Sequence, residues 1–299
     1  MNKLAPVMRM LAEHMPGMPQ RDLEPFARAI TWPETYQAMQ VPDSVPAGRL
    51  LQRRHRSASI YPGVERNYIV YVPIQYQAES DAGLLVFQDG ARYLGPEANG
   101  ARVLDVLNAS GDFPPVIAVF VEPGEQGPGL PGFGGTGNRS VEYDALGGTY
   151  ARFLLDELLP EALAGYRITQ EPARRGLVGI SSGGVCAFNA AWERPDAFGL
   201  VLSNCGSFVN IRGGDACAGR VRSEEMRDLR VFLQTGEHDL DISYGHWLLA
   251  NRQMAAALAY RGYPHQLIIG QGGHSLRHGG AVLLEALRWL FSGDGGDRG

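Results

Sequence analysis

The stretch Leu177-Val-Gly-Ile-Ser-Ser-Gly-Gly-Val-Cys-Ala-Phe188 decides the fold. It begins with a short apolar run, and the residues from Gly184 onward have a helical pattern. The segment from Gly179 to Gly183 matches G-x-S-x-G, the pattern of a sharp turn that presents a nucleophilic serine between a strand and a helix. The glycine spacing selects Ser181 as the nucleophile, with its neighbour Ser182 as the alternative.

Other short apolar runs occur on both sides of this stretch, and helical patterns separate them. Runs of this length bounded by Gly or Pro are typical of strands buried on both faces. The alternation predicts an α/β fold with a mostly parallel central sheet and helices on both faces. The predicted strands are 68–72, 84–87, 116–121, 177–180, 200–202, 231–233 and 266–269, and the clearest helices are 101–107, 149–164, 184–193, 247–260 and 281–291.

The chain length of 299 residues fits one catalytic domain with an extension better than two domains. Residues 1–46 contain short helical patterns interrupted by prolines, and we expect them to form an N-terminal extension that packs on the core. Residues 47–292 form the predicted catalytic domain, and the polar, Gly-rich residues 293–299 a flexible tail. The 39 glycines and 19 prolines predict a protein with much of its length in loops.

Charge and composition exclude several classes of protein. The net charge of −5 argues against nucleic-acid binding, which needs a basic surface. The chain has no apolar run long enough to span a membrane. Three cysteines do not make a disulfide framework. We therefore expect a cytoplasmic protein that acts on a small molecule, with no nucleic-acid or membrane partner, and a homodimer stays open.

A nucleophilic serine needs a histidine base and a carboxylate that orients the base. Two loops after predicted strands supply them, Thr235-Gly-Glu-His-Asp239 and Gly270-Gln-Gly-Gly-His274. The chain order serine, aspartate, histidine is that of α/β-hydrolases. We predict Asp239 as the acid and His274 as the base, with Glu237 and Asp241 as alternatives for the acid.

Catalysis also needs two N–H donors directed at the oxygen of the tetrahedral intermediate. The backbone N–H of Ser182, directly after the nucleophile, is one candidate. The other is Gly90 or Ala91, in the loop after strand 84–87. Asp89 in this loop is interpreted as a turn former.

Two further motifs are weaker. The segment 132–137 matches the dinucleotide pattern G-x-G-x-x-G, but the preceding strand ends near Val121 and the next helix is predicted only near Gly147, so we interpret it as a surface loop. His274 and His278 have the spacing of a helical metal pair, yet the sequence offers no evident third ligand. We expect neither a metal nor a cofactor.

From about Gly48 to Phe291 the chain resembles the α/β-hydrolase family that contains enterochelin esterases, feruloyl esterases and S-formylglutathione hydrolase (esterase D). The resemblance does not include the N-terminal extension or the Gly-rich residues 122–137. It implies a serine esterase that works through an acyl-enzyme, with siderophore trilactones or aryl and feruloyl esters as substrates. The segments that carry it are 66–73, 86–90, 138–144, 179–183, 191–198, 203–207, 236–239 and 272–274.

Charged and polar residues in the predicted loops are candidates for substrate contact, because a polyanionic catecholate substrate would require several arginines. Two other functions stay open: acyl transfer with the same triad, as in mycolyltransferases of this fold, and a non-catalytic binding protein. The candidates for substrate contact are Arg92, Arg139, Glu142, Arg212 and His238.

Overall fold

The computed structural model describes residues 4–293. In this range an eight-stranded sheet has the order β1-β2-β4-β3-β5-β6-β7-β10. The two pairings of β2, with β1 and with β4, are antiparallel, and the remaining pairings are parallel. The sheet strands are β1 (Arg49–Arg56), β2 (Glu65–Val72), β3 (Gly83–Gln88), β4 (Val116–Val121), β5 (Arg175–Ile180), β6 (Leu200–Asn204), β7 (Arg230–Gly236) and β10 (His265–Gly270), while β8 (Asp241–Ile242) and β9 (Gly245–His246) form a small hairpin.

Helices cover both faces of the sheet, because successive residues of each buried strand point to opposite sides. Leu84 and Val86 of β3 belong to one apolar cluster, and Leu85 and Phe87 to the other. Helices α8 and α10 pack on the first face, and α4 and α12 on the second. The helices are α1 (Ala5–His14), α2 (Gln20–Ile30), α3 (Gly90–Leu94), α4 (Gly100–Ala109), α5 (Arg139–Tyr143), α6 (Thr149–Arg152), α7 (Leu159–Ala162), α8 (Ser182–Glu193), α9 (Cys217–Ser223), α10 (Trp247–Arg261), α11 (Arg277–Ala281) and α12 (Leu283–Phe291).

The predicted α/β architecture is confirmed, and each predicted strand lies within an observed one. Strand β1 was not predicted; it is an antiparallel edge strand whose Arg-rich residues are mostly exposed. The predicted helix 149–164 contains a π-helical turn, Phe153–Leu158, between α6 and α7. The predicted helix 281–291 is α12, which α11 precedes after a one-residue break.

Helices α1 and α2 of the N-terminal segment lie against loops near the carboxyl ends of the parallel strands. A separate apolar cluster joins Leu11 and Leu23 of these helices to Phe133, Leu240 and Trp247. Phe133 belongs to the Gly-rich residues 122–137, and Leu240 follows directly on Asp239. The N-terminal residues therefore approach the region where the sequence places the reactive groups.

No helix within residues 4–293 is both long enough and apolar enough to cross a membrane. Of the predicted flexible tail, residues 294–299 lie outside the described residues.

Candidate active site

Ser181 sits at the turn between β5 and α8 with the backbone angles φ 59° and ψ −122°. A positive φ is rare for a residue with a side chain and marks a constrained turn. The turn is possible because Gly179 and Gly183 lie in close contact: a Cβ on Gly179 would overlap the carbonyl group of Gly183. The strand–turn–helix context predicted for Ser181 is therefore present, with its hydroxyl at the carboxyl end of the sheet.

Three predicted residues come together around this turn. His274 Nε2 lies 2.9 Å from Ser181 Oγ, and His274 Nδ1 lies 2.6 Å from Asp239 Oδ1. The Asp239 side chain is fully buried, and that of His274 is 8 % exposed. This continuous chain of hydrogen bonds can pass the serine proton to the imidazole and stabilise the imidazolium that results.

Asp239 is fixed by more than the histidine. Its Oδ1 also accepts the backbone N–H of Leu240 at 2.8 Å, and its Oδ2 accepts the Thr235 hydroxyl at 2.7 Å. The two alternative acids, Glu237 and Asp241, are both exposed, and Glu237 accepts a hydrogen bond from the Gln271 side chain. Only Asp239 of the three meets the imidazole of His274.

Two residues that the sequence analysis did not single out contact the reacting groups. Ser207 Oγ lies 3.2 Å from Ser181 Oγ, and Trp247 donates its indole N–H to Ser207 Oγ at 3.1 Å. The Trp247 ring also packs edge-on against the imidazole of His274, with 5.9 Å between the ring centroids. Ser207 lies in one of the segments that carry the family resemblance, and this position was a usable signal for it.

The loop after β3 carries the second candidate N–H donor. Asp89 adopts a left-handed conformation with φ 56°, and α3 begins at the next residue, Gly90. The backbone N–H of Ala91 donates to Glu122 Oε1 at 2.6 Å, so Ala91 is not free to serve the intermediate as predicted. Gly90 N–H stays as the candidate on this loop. The N–H of Ser182 opens α8 and has no acceptor in a preceding helical turn.

Glu122 accepts the hydrogen bond from the Ala91 N–H, and burial raises the pKa of its carboxyl group. Glu122 follows β4 directly, at the same edge of the sheet as the other site residues. Its position at a strand end was a signal that the sequence analysis did not use.

Arg139 is not a free cation, because its guanidinium pairs with Asp89. Its guanidinium makes two parallel hydrogen bonds to Asp89, Nε to Oδ1 at 2.7 Å and Nη2 to Oδ2 at 2.6 Å. Nη2 also donates to the carbonyl oxygen of Ile180, the residue before the nucleophile, at 3.2 Å. Arg139 therefore joins the loop after β3 to the turn that carries Ser181.

The other residues predicted to contact substrate have different surroundings in the structure. Glu142 is 1 % exposed and pairs with the buried Arg66, so it stabilises the interior instead of facing a substrate. Arg92 is exposed and lies 3.9 Å from Glu97. Arg212 donates to Ser140 Oγ at 3.2 Å, and the ring of His238 stacks on a tryptophan of the N-terminal segment, as described below.

The Gly-rich loop (residues 122–137) does not have the geometry of a dinucleotide site. The match at 132–137 begins well beyond the end of β4. A short helix, α5, starts at Arg139, earlier than the helix predicted near Gly147. The glycines have a conformational cause, because many residues of this loop adopt positive φ: Gly129, Gly132, Gly134, Gly135 and Gly137.

A cavity of about 480 Å³ opens beside this loop. The Gly-rich loop forms one wall, the end of α1 with His14 and Pro16 forms another, and Arg139 and Ser140 lie between them. A volume of this size is typical of small-molecule sites. Arg139 lines this cavity and also donates to Ile180, whereas Ser181, Asp239 and His274 are not among the residues that line it.

One group of side chains within residues 4–293 has the donor atoms of a metal site: Cys205, Asp239 and His274, whose ligand atoms lie within 4.8 Å of one another. The group does not suit a metal. Burial raises the pKa of the Cys205 thiol well above its usual range, which disfavours the thiolate that a metal binds. The imidazole nitrogen that faces Asp239 is already used in the hydrogen bond to it.

Comparison with known proteins finds relatives that are named as esterases. The iron(III) enterobactin esterase of Dickeya dadantii (strain 3937) is 27 % identical over 226 residues, which are 71 % of this chain and 48 % of that protein. The chain thus spans about half the length of this curated relative.

Solved structures show the same fold at lower identity. The enterobactin esterase FES from Shigella flexneri superposes with a TM-score of 0.65 at 20 % identity, over 85 % of this chain and 61 % of that one. A ferulic acid esterase superposes with a TM-score of 0.64 at 19 % identity, over 82 % and 98 % of the two chains. These likenesses confirm the α/β-hydrolase fold.

The model of a family described as putative esterase matches residues 59–290, which include all of Ser181, Asp239 and His274. The chain belongs to this esterase family.

Proposed function

We propose that this protein is a serine esterase that hydrolyses carboxylic esters through an acyl-enzyme. The observation that carries the proposal is the continuous hydrogen-bond chain from Ser181 through His274 to Asp239, built on a strained turn at the end of β5. The relatives named as esterases support it.

In the first step, His274 Nε2 takes the proton from Ser181 Oγ as this oxygen attacks the ester carbonyl carbon. Asp239 holds the imidazole in the tautomer that leaves Nε2 free to accept. The carbonyl oxygen gains negative charge, and the N–H groups of Ser182 and Gly90 are the donors that stabilise it. His274 then gives its proton to the leaving alcohol, and the acyl group stays on Ser181.

In the second step, water attacks the acyl carbon while His274 again accepts a proton. A second tetrahedral intermediate forms in the same place and collapses as His274 returns the proton to Ser181 Oγ, which releases the free acid. The residues named here perform both steps without a metal or cofactor.

Active-site labelling tests the nucleophile. The wild-type protein should react with a fluorophosphonate probe and give a burst with p-nitrophenyl acetate, and Ser181→Ala should do neither. Ser182→Ala keeps its backbone N–H and should still be labelled, so it is the matched control. Full activity of Ser181→Ala would refute the proposal.

The arginines in the loops near the carboxyl ends of the strands, including Arg212, bear on the substrate. Arg139 is neutralised by Asp89, and both Arg92 and Arg277 lie near Glu97. A polyanionic iron–catecholate complex would require several arginines without an acidic partner, and among these four candidates of the described chain only Arg212, which donates to the Ser140 hydroxyl, is of that kind. We therefore propose a neutral small ester, aryl or feruloyl, rather than the iron(III) enterobactin for which the Dickeya relative is named.

A substrate panel decides between these classes. With methyl ferulate, p-nitrophenyl acetate and an iron-loaded catecholate trilactone, the first two should give the higher kcat/KM. Faster cleavage of the trilactone would overturn the assignment of substrate class but not that of the nucleophile. A small-molecule ester as partner and a cytoplasmic location stay predictions from the sequence, and a homodimer stays open.

A further inference from the structure

Residues 31–40, which follow α2, form an extended segment that we name the strap. Its side chains alternate along the chain: those at 31, 33, 35 and 37 are exposed, whereas Trp32, Glu34, Tyr36 and Ala38 are half-buried or buried. Such a period of two is what an extended chain shows when one side lies against the protein. The strap therefore presents one set of side chains inward.

The surface that the strap contacts is the histidine loop (residues 271–276), between β10 and α11. Glu34 Oε1 accepts the backbone N–H of Gly273 at 3.0 Å and the hydroxyl of Ser275 at 2.7 Å. These two residues flank His274 on both sides. One carboxylate oxygen thus fixes the chain immediately before and immediately after the imidazole.

Neighbouring N-terminal groups complete this contact. The carbonyl oxygen of Ala29, at the end of α2, accepts the N–H of His274 itself at 2.8 Å. The hydroxyl of Tyr36 accepts the N–H of Gln271 at 3.0 Å. Three backbone N–H groups of the histidine loop therefore donate to atoms of the first 36 residues.

The histidine loop is shaped for this approach. A Cβ on Gly273 would overlap the carbonyl oxygen of Ala29, and a Cβ on Gly272 would lie 2.8 Å from the Glu34 carboxylate. Glycine is also the residue with the largest conformational freedom to lose on folding. The two glycines therefore admit the strap and the end of α2, because a Cβ at either position would collide with them.

The strap also reaches the acid and the helix that follows the base. Trp32 stacks on His238, next to Asp239, with the ring centroids 3.6 Å apart, and Tyr36 stacks on His278 of α11 at 4.2 Å. The strap therefore contacts both the loop that carries Asp239 and the loop that carries His274.

We propose that Glu34 is a positioning residue for His274: its two hydrogen bonds hold the imidazole in line with Ser181 and Asp239. The proposal rests on the proposed esterase function. A displacement of about 1 Å at a reacting group can cost about a hundredfold in rate, so the loss of these bonds should act on turnover.

Three variants test it. Glu34→Ala should lower kcat by about ten- to a hundredfold, with KM changed by less than about threefold. Glu34→Gln keeps an oxygen that can accept both bonds and should restore kcat to within about threefold of wild type. Thr35→Ala removes an exposed side chain of the strap and should match the wild type. The rate of fluorophosphonate labelling, which also requires an aligned imidazole, should follow kcat.

The outcomes separate this proposal from the proposed function. A wild-type protein that hydrolyses no ester contradicts the esterase function. An active wild type with an equally active Glu34→Ala contradicts the positioning role alone, as does a variant that loses only thermal stability and keeps kcat well below its Tm. If Glu34→Gln is as slow as Glu34→Ala, positioning through these two hydrogen bonds is wrong.

Discussion

Arg139 binds Asp89 through two parallel hydrogen bonds of 2.7 and 2.6 Å, and the same guanidinium donates to the carbonyl oxygen next to Ser181. Asp89 directly precedes Gly90, the candidate N–H donor. One side chain therefore sets the distance between the nucleophile and a group that must meet the oxygen of the intermediate.

A lysine cannot reproduce this planar, two-pronged contact. Arg139→Lys should lower kcat by about tenfold or more and change KM less, because the donor loop loses its fixed position. Steady-state kinetics with p-nitrophenyl acetate measure this. Arg92→Lys changes an exposed arginine with a long ion pair and should leave kcat unchanged; an equal loss in both variants would contradict this role of Arg139.

Asp239→Asn should reduce kcat by about 10⁴-fold, since an amide favours the wrong tautomer of the imidazole. Single-turnover acylation rates measure the change directly. Asp241→Asn changes an exposed carboxylate two residues away and is the control. Its kcat should stay within about twofold of the wild-type value. The reverse pattern would assign the acid to Asp241.

Ser207→Ala removes the hydroxyl that lies 3.2 Å from Ser181 Oγ. Because Trp247 donates to Ser207, the Ser207 hydrogen is free to donate to Ser181 and orient its oxygen. Loss of one such bond is worth ~1 kcal/mol, so we expect kcat to fall about three- to tenfold. Ser243→Ala, at an exposed serine, should have no effect on the rate.

His278 makes stability depend on pH. Burial lowers its pKa in the folded protein, while the charge of Glu34 opposes this in part. As the pH falls, the imidazole of His278 is therefore protonated in the unfolded chain before it is protonated in the folded protein. The free energy of unfolding decreases from about pH 6.5 downward.

His278→Gln should flatten this part of the profile. Urea unfolding between pH 7.5 and 5 measures it, and the slopes of the two proteins should differ by up to about 1.4 kcal/mol per pH unit. His14→Gln, at an exposed histidine, should keep the wild-type slope. An identical slope for His278→Gln would show that another group titrates.

The sheet and the hydrogen-bond chain could be predicted because both follow from local patterns. Buried parallel strands are short apolar runs, and their carboxyl ends meet at one edge, so Ser181, Asp239 and His274 could be placed together from their strands. Strand β1 could not be found, because an exposed antiparallel edge strand has no apolar run.

The finer points of the site depend on contacts between distant segments. Glu122 reaches Ala91 from the end of another strand and accepts its N–H, which leaves Gly90 as the candidate donor on this loop. Glu34 lies in a polar segment with no motif, and nothing in its sequence neighbourhood indicates that it meets Ser275.

Glu34 and Ser275 are 241 positions apart. During synthesis the histidine loop follows the strap by these 241 positions, so the hydrogen bonds of Glu34 cannot form until this later segment has been made. Contacts so distant in sequence form late and slowly in folding. A nascent chain that has not yet reached residue 271 would carry Ser181 and Asp239 but lack His274, the base of the proposed esterase.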